Sequence, residues 1–146
     1  MKVLVDTNVV LDVLLNREHF CRDSTVILYL AKGAVISAFF PSFSMTNVFY
    51  ILRRRGKSLD EAYQEMDKLN IIFTVAPVTE NTIASALALR WKDFEDAVQF
   101  ITAKESKLDF IITRNKADYE SSDISCMSPT EFIAYLEQKE ESEKNE

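Results

Sequence analysis

Residues 1–12, Met-Lys-Val-Leu-Val-Asp-Thr-Asn-Val-Val-Leu-Asp, restrict what this chain can fold into more than any other stretch. Val3, Leu4 and Val5 form a short apolar run without polar alternation, which predicts a strand buried on both faces. Asp6-Thr7-Asn8 ends that strand with polar oxygens at the turn. Val9, Val10, Val13 and Leu14 then recur at helical spacing, so a helix begins at once. Open α/β sheets hold their ligands at the carboxyl ends of the strands, which makes Asp6 the first candidate functional residue. Asp and Asn are also favoured N-caps, and a purely capping role for Asp6 or Asn8 explains the pattern equally well.

The pairing of apolar run and helix recurs along the chain. A helix is predicted from about Cys21 to Lys32, with Val26, Ile27, Tyr29 and Leu30 as its apolar stripe and Gly33 as its C-cap. Ala34 to Ala38 reads as a second strand. Pro41 opens a helix carrying Met45, Val48, Phe49, Ile51 and Leu52, which ends in Arg53-Arg54-Arg55-Gly56. Ser58 and Glu61 have capping-box spacing for a helix to about Leu69, and Ile71 to Val75 reads as a third strand. Thr79 starts a helix to about Trp91 with Ile83, Leu87 and Leu89 as its stripe, and Asp93 caps another that carries Ala97, Val98, Phe100, Ile101 and Ala103. Phe110-Ile111-Ile112 is a fourth strand, stopped by Thr113-Arg114-Asn115. A polar stretch over 118–123 leads to a fifth at Ile124 to Cys126, and Ser128-Pro129-Thr130-Glu131 carries every mark of a helix start. Short apolar strands alternating with helices predict a parallel sheet covered on both faces, an α/β three-layer sandwich in one domain over 1–138. Residues 139–146 read as an acidic tail, disordered or a frayed, solvated helix end.

Scarcity limits the chemistry. Gly33 and Gly56 are the only glycines, which excludes phosphate-cradling glycine-rich loops. His19 is the sole histidine, which rules out multi-histidine zinc sites and leaves little scope for a Ser-His-Asp triad. Cys21 and Cys126 have no metal spacing and read as small core residues in a reducing cytoplasm. No apolar run reaches the length of a membrane span, and Asp6 and Asp12 interrupt the N-terminal one, so neither a membrane location nor a signal peptide is expected. The net charge of −6 argues against nucleic acid on its face. Five glutamates and two lysines between Glu137 and Glu146 supply half of it, however, and carboxylates gathered around a cation would lower the formal charge of the rest.

Three places offer acids or amides beside a strand end. The first is Asp6, with Asn8 and Asp12 behind it. The second is Asp93-Phe94-Glu95-Asp96-Ala97, where dipole complementation accounts well for Asp93 and Glu95 and less well for Asp96, one turn into an otherwise apolar face. The third is Thr113-Arg114-Asn115-Lys116-Ala117-Asp118, which meets Asp6 if the fourth strand lies beside the first; in isolation it equally suits an Asx-type turn. Asp6, Asp96 and Asp118 together supply only hard oxygen ligands, which select Mg²⁺ or Mn²⁺ over zinc or copper and suit phosphoryl chemistry.

Val-Asp-Thr-Asn-Val-Val-Leu-Asp at 5–12, Asp-Phe-Glu-Asp-Ala at 93–97 and Ile-Thr-Arg-Asn-Lys-Ala-Asp-Tyr at 112–119 resemble, in order and spacing, the motifs of the PIN domain family. The resemblance implies a five-stranded parallel sheet of order 3-2-1-4-5. It also implies a Mg²⁺- or Mn²⁺-dependent ribonuclease, often the toxin of a bacterial toxin–antitoxin pair, in which a metal-bound water attacks the RNA phosphodiester. Carried over residue by residue, Asp6 matches the family's first acid and Asp96 the acid of the Glu-Asp-Ala segment. The acid after the fourth strand falls on Asn115, with Asp118 three residues later as the charged group in reach. Asn47 stands where a glutamate is usual. Two expected carboxylates are therefore amides, which contribute an oxygen but no charge.

The reading that follows is a cytoplasmic endoribonuclease with Asp6, Asp96 and Asp118 as catalytic metal ligands and Asn115 as a neutral one. Asn47, Asn8, Asp93 and Thr113 support them. Arg53, Arg54 and Arg114 are candidates for the RNA backbone, although a basic helix end at 53–55 is also what the helix dipole favours. Phe39, Phe40, Phe43, Phe49 and Tyr50 read as core or as a homodimer or antitoxin surface. The main rival is a PIN fold that binds RNA or protein without cutting. A haloacid-dehalogenase-like phosphatase fits less well, because Asn8 cannot serve as its second acid, and a phosphoacceptor receiver domain lacks its paired acids and its lysine.

Overall fold

A computed structural model describes residues 1–119 and 122–146, so part of the predicted polar stretch over 118–123 lies outside the described residues. The elements run β1 (Lys2–Val5), α1 (Thr7–Leu14), α2 (Cys21–Lys32), β2 (Ser37–Pro41), α3 (Ser42–Arg54), α4 (Leu59–Ile72), β3 (Thr74–Ala76), α5 (Glu80–Leu89), α6 (Phe94–Glu105), β4 (Phe110–Ile112), a 3₁₀ turn (Lys116–Tyr119), β5 (Ser125–Met127) and α7 (Pro129–Lys144). The five strands form one sheet of order β3-β2-β1-β4-β5, and every pair is parallel. This is the order that the family resemblance implies.

Alternate residues of the strands feed two separate cores. Val3, Val5, Ala38, Phe40 and Ile112 pack against α1, α2, α3, α4 and α7, while Leu4 and Ile111 pack against α6 and the Ala86 face of α5. Val3, Leu4 and Val5 of β1 are fully buried because helices cover both faces, which is why this run shows no alternation. From β1 the chain crosses outward to β2 and β3, then returns over the other face to β4. The C-terminal ends of β1 and β4 therefore flank the topological switch point, where such sheets open a crevice. Asp6 N–H donates to the Ile112 carbonyl at 2.9 Å, extending the ladder to the edge of that crevice.

Several boundaries differ from the sequence reading for identifiable reasons. β2 begins at Ser37, not Ala34, because residues 34–36 finish the end of α2: Val35 and Ile36 N–H both return to the Leu30 carbonyl. Gly33 is the C-cap but keeps a φ of −80°, and the left-handed residue is Ala34 at +57°. α4 runs on to Ile72, so β3 starts at Thr74, and Ile71 lies exposed on the helix. β5 is displaced by one residue, to Ser125–Met127. Tyr29 faces outward, leaving Ile27, Leu28 and Ala31 as the buried face of α2. On α5 the expected stripe is also exposed; Thr82 and Ala86 face inward, small enough for α5 to sit closely on α6. Of the two readings of the acidic tail, the solvated helix end is the one observed: the tail is helical to Lys144, with its charged side chains in solvent, and is not disordered there. Among the described residues no helix is long and apolar enough to cross a membrane.

Candidate metal centre

A cleft of about 330 Å³ opens at the switch point, lined by Asp6, Thr7, Asn8, Asn47, Tyr50, Asp93, Glu95, Asp96, Asn115 and Asp118 among others. Asp6 is at once an N-cap and a wall of this cleft. Its Oδ1 accepts the Asn8 N–H at 3.1 Å, and its Oδ2 accepts the Thr113 hydroxyl at 2.8 Å from the end of β4. The capping role that the sequence left open for Asp6 is thus observed, and the same carboxylate lines the cleft. Thr113 is completely buried, so its hydroxyl has no water to turn to and is committed to that carboxylate.

Asp93 repeats the pattern at α6. Its Oδ1 caps the helix by accepting the Asp96 N–H at 3.1 Å, and one turn of helix then sets Asp96 beside it. Carboxylate oxygens of Asp93, Asp96 and Asp118 all lie within 4.8 Å of one another. Asp118 arrives on the 3₁₀ turn, its N–H donating to the Asn115 carbonyl at 3.0 Å. The next residue, Tyr119, is buried and links the trio to Asp6: its hydroxyl lies 3.2 Å from Asp96 Oδ1 and 3.4 Å from Asp6 Oδ2.

So many acids in one place are costly without a cation. Burial raises the Asp6 carboxyl above its ordinary value. Burial together with the charges of Asp6, Asp93 and Asp118 pushes Asp96 up to about 7. Glu95 is raised by burial and then by Asp6 and Asp93. Buried like charges favour protonation or a counter-ion. The donors facing the cleft are carboxylates, amides and hydroxyls, a hard oxygen set that fits Mg²⁺ or Mn²⁺ and offers nothing to a soft metal.

Asp6, Asp96, Asp118, Asn115, Asn47, Asn8 and Asp93 are thus brought together, with Thr113 behind them. The arginines divide. Arg54 donates to the Tyr50 hydroxyl at 2.9 Å and lies over its ring, at the rim of the cleft. Arg53 donates to the Lys57 carbonyl, closing the end of α3. Arg114 is turned away. Its Nε lies 2.7 Å from Oδ2 of the buried Asp12, its N–H is not aligned for a hydrogen bond, and the guanidinium stacks over Phe20 with its carbon 4.0 Å from the ring centre. The charge of the fully buried Asp12 on α1 holds Arg114 there, apart from the residues that line the cleft. Of the aromatic cluster, Phe40 is core, Phe39, Phe43 and Phe49 are partly buried, and Tyr50 stands exposed on the cleft wall.

Three residues of the site escaped the sequence reading. Glu95 had been explained by the helix dipole, and it faces the cleft because α6 begins there. Gln99 carries no signal of its own in the sequence, and Tyr119 is only the last residue of the 112–119 motif; helical spacing within α6 sets Gln99 beside Asp96, and the packing of the 3₁₀ turn on α6 brings Tyr119 to both.

The PIN domain family profile matches residues 2–117, and this chain belongs to that family. Ribonuclease VapC1 of Aquifex aeolicus (strain VF5) is 26% identical over 136 residues, covering 90% of this chain and 92% of the relative. Among solved structures, FitAcB from Neisseria gonorrhoeae superposes with a TM-score of 0.65 at 17% identity, covering 87% of this chain and 97% of that one. A toxin-antitoxin complex from Klebsiella pneumoniae gives 0.62 at 20% identity, again over 87% and 97%. At these identities the structural likeness concerns the fold.

Proposed function

We propose that this chain is a Mg²⁺- or Mn²⁺-dependent endoribonuclease that works as the toxin of a toxin–antitoxin pair. The observation that carries the reading is the convergence of Asp93, Asp96 and Asp118 with Asp6 at the switch point of the sheet. Asp96 and Asp118 are the central ligands, with Asp6 and Asp93 beside them and the side-chain oxygens of Asn115 and Asn47 as neutral donors. A divalent ion in such a set polarises a phosphate and activates water at neutral pH. The described residues lining the cleft include no histidine or lysine, and its carboxylates would hold and orient the ion. Arg54, steadied on Tyr50, offers the rim a cation for a backbone phosphate. The relative named a ribonuclease supports the substrate class, and the neighbour described as a toxin-antitoxin complex supports a protein partner.

The test is RNA cleavage with Mn²⁺ by the wild type and by Asp6→Asn. The variant is expected to keep its melting temperature in the presence of Mg²⁺ within a few degrees and to lose cleavage; equal cleavage overturns the assignment.

A second reading, a PIN fold that binds RNA or a partner without cutting, is favoured by one observation: both amides, Asn47 and Asn115, face the cleft where acids are usual. Calorimetric titration with Mn²⁺ separates the two, since absence of heat up to millimolar metal selects the binder.

A further inference from the structure

Behind the cleft, on the side away from solvent, lies a small polar network. Tyr119 and Gln99 are both buried, 3% and 1% exposed, in a layer otherwise built from Leu4, Ala97, Phe100 and Ile111. Gln99 Nε2 lies 3.4 Å from Asp96 Oδ1 and 3.2 Å from the Tyr119 hydroxyl oxygen. That hydroxyl reaches both Asp96 Oδ1 and Asp6 Oδ2, the latter already bonded to Thr113. The donor count closes. Gln99 gives one N–H to Asp96 and one to the Tyr119 oxygen, and the single Tyr119 proton serves Asp6 or Asp96.

Two further facts show that the carboxylates dictate this arrangement. Gln99 Oε1 is buried and has no partner among the described residues. Turning the amide over would free Nε2 to search elsewhere but would press Oε1 against a carboxylate oxygen, so the orientation with one orphaned acceptor is kept. The Tyr119 ring is fixed edge-on against Trp91, 6.0 Å between centres, and Trp91 is stacked on Phe100 at 5.0 Å. The hydroxyl therefore has little freedom to leave.

The inward oxygens of Asp96 and Asp6 are thus occupied from behind. We propose that Tyr119 and Gln99 are positioning residues that, by holding these oxygens, aim the opposite oxygens of the two carboxylates into the cleft for a divalent cation. The inference rests on the ion-binding reading of the cleft. Groups that orient ligating side chains typically change metal affinity by about 10- to 100-fold when removed.

The experiment is calorimetric titration of Mn²⁺, without RNA, into the full chain and into Tyr119→Phe and Gln99→Met, with thermal unfolding of each in EDTA. The expected result is a folded Tyr119→Phe variant whose Mn²⁺ affinity is about 10-fold weaker or more, with Gln99→Met shifted in the same direction. A purely structural role would lower the melting temperature in EDTA and leave the affinity of the folded fraction unchanged, and that result overturns the proposal. Should Tyr119→Phe fail to fold, Gln99→Met decides alone, and wild-type affinity there overturns it. A wild type that takes up no Mn²⁺ removes the ion-binding reading itself and this inference with it. Metal uptake by the wild type with equal uptake by both variants removes only the inference.

Discussion

Replacing Asp96 by Asn should stabilise the protein in EDTA at pH 8, although it removes a proposed metal ligand. Asp96 is 7% exposed, and burial plus three neighbouring carboxylates push its carboxyl up to about 7 from 3.8. The unfolded chain gives up this proton near pH 4, whereas the folded chain keeps it to about 7. Stability from this group is therefore complete below pH 4 and is lost as the pH rises to 7. Each pH unit in that window costs about 1.4 kcal/mol, so the loss amounts to about 4 kcal/mol by pH 8. Asn keeps an acceptor for Gln99 and Tyr119 without the charge and escapes the loss. For a domain of this size the gain is roughly 10 °C in melting temperature. The assay is thermal unfolding of both proteins in EDTA from pH 4.5 to pH 8.5. The gap should open with pH and shrink at pH 4.5, and millimolar Mn²⁺ should raise the wild type far more than the variant. A variant less stable than the wild type at pH 8 in EDTA, or a gap that ignores pH, refutes the reasoning.

Two predictions concern other parts of the molecule. Arg114→Met leaves the fully buried Asp12 with Arg17, 3.2 Å away, as its remaining cation; a loss of about 3 kcal/mol is expected by denaturant unfolding, with RNA affinity of the folded protein unchanged. Ala34→Gly relieves a left-handed residue at the end of α2 and should gain about 0.5–1 kcal/mol in the same assay; a loss would show that the turn is not strained.

Much of the architecture was legible in the chain because its signals are local. Unbroken apolar runs at 3–5 and 110–112 mark strands covered on both faces, and Asp93, Ser58 and Ser128 cap the helices that their spacing announces. The errors fall where local signals are ambiguous. The apolar run after Gly33 is a helix-terminating turn, and Ile71 belongs to a helix whose apolar end reads equally well as a strand. The stripe on α5 misled because the inward face uses Thr82 and Ala86, whose size matters more than their hydropathy.

By itself the sequence determined the alternation of strands and helices and the places where acids interrupt apolar faces, since both depend on neighbours within a turn or two of chain. Tertiary structure alone decided which of those acids meet. Asp6 lies 90 residues from Asp96, and Asp118 follows 22 later; their approach depends on β4 lying against β1 in one register, a contact no local pattern encodes. The same docking turned Arg114 toward Asp12 and set Tyr119 behind Asp96, because a buried charge takes whichever partner the packed elements bring within reach.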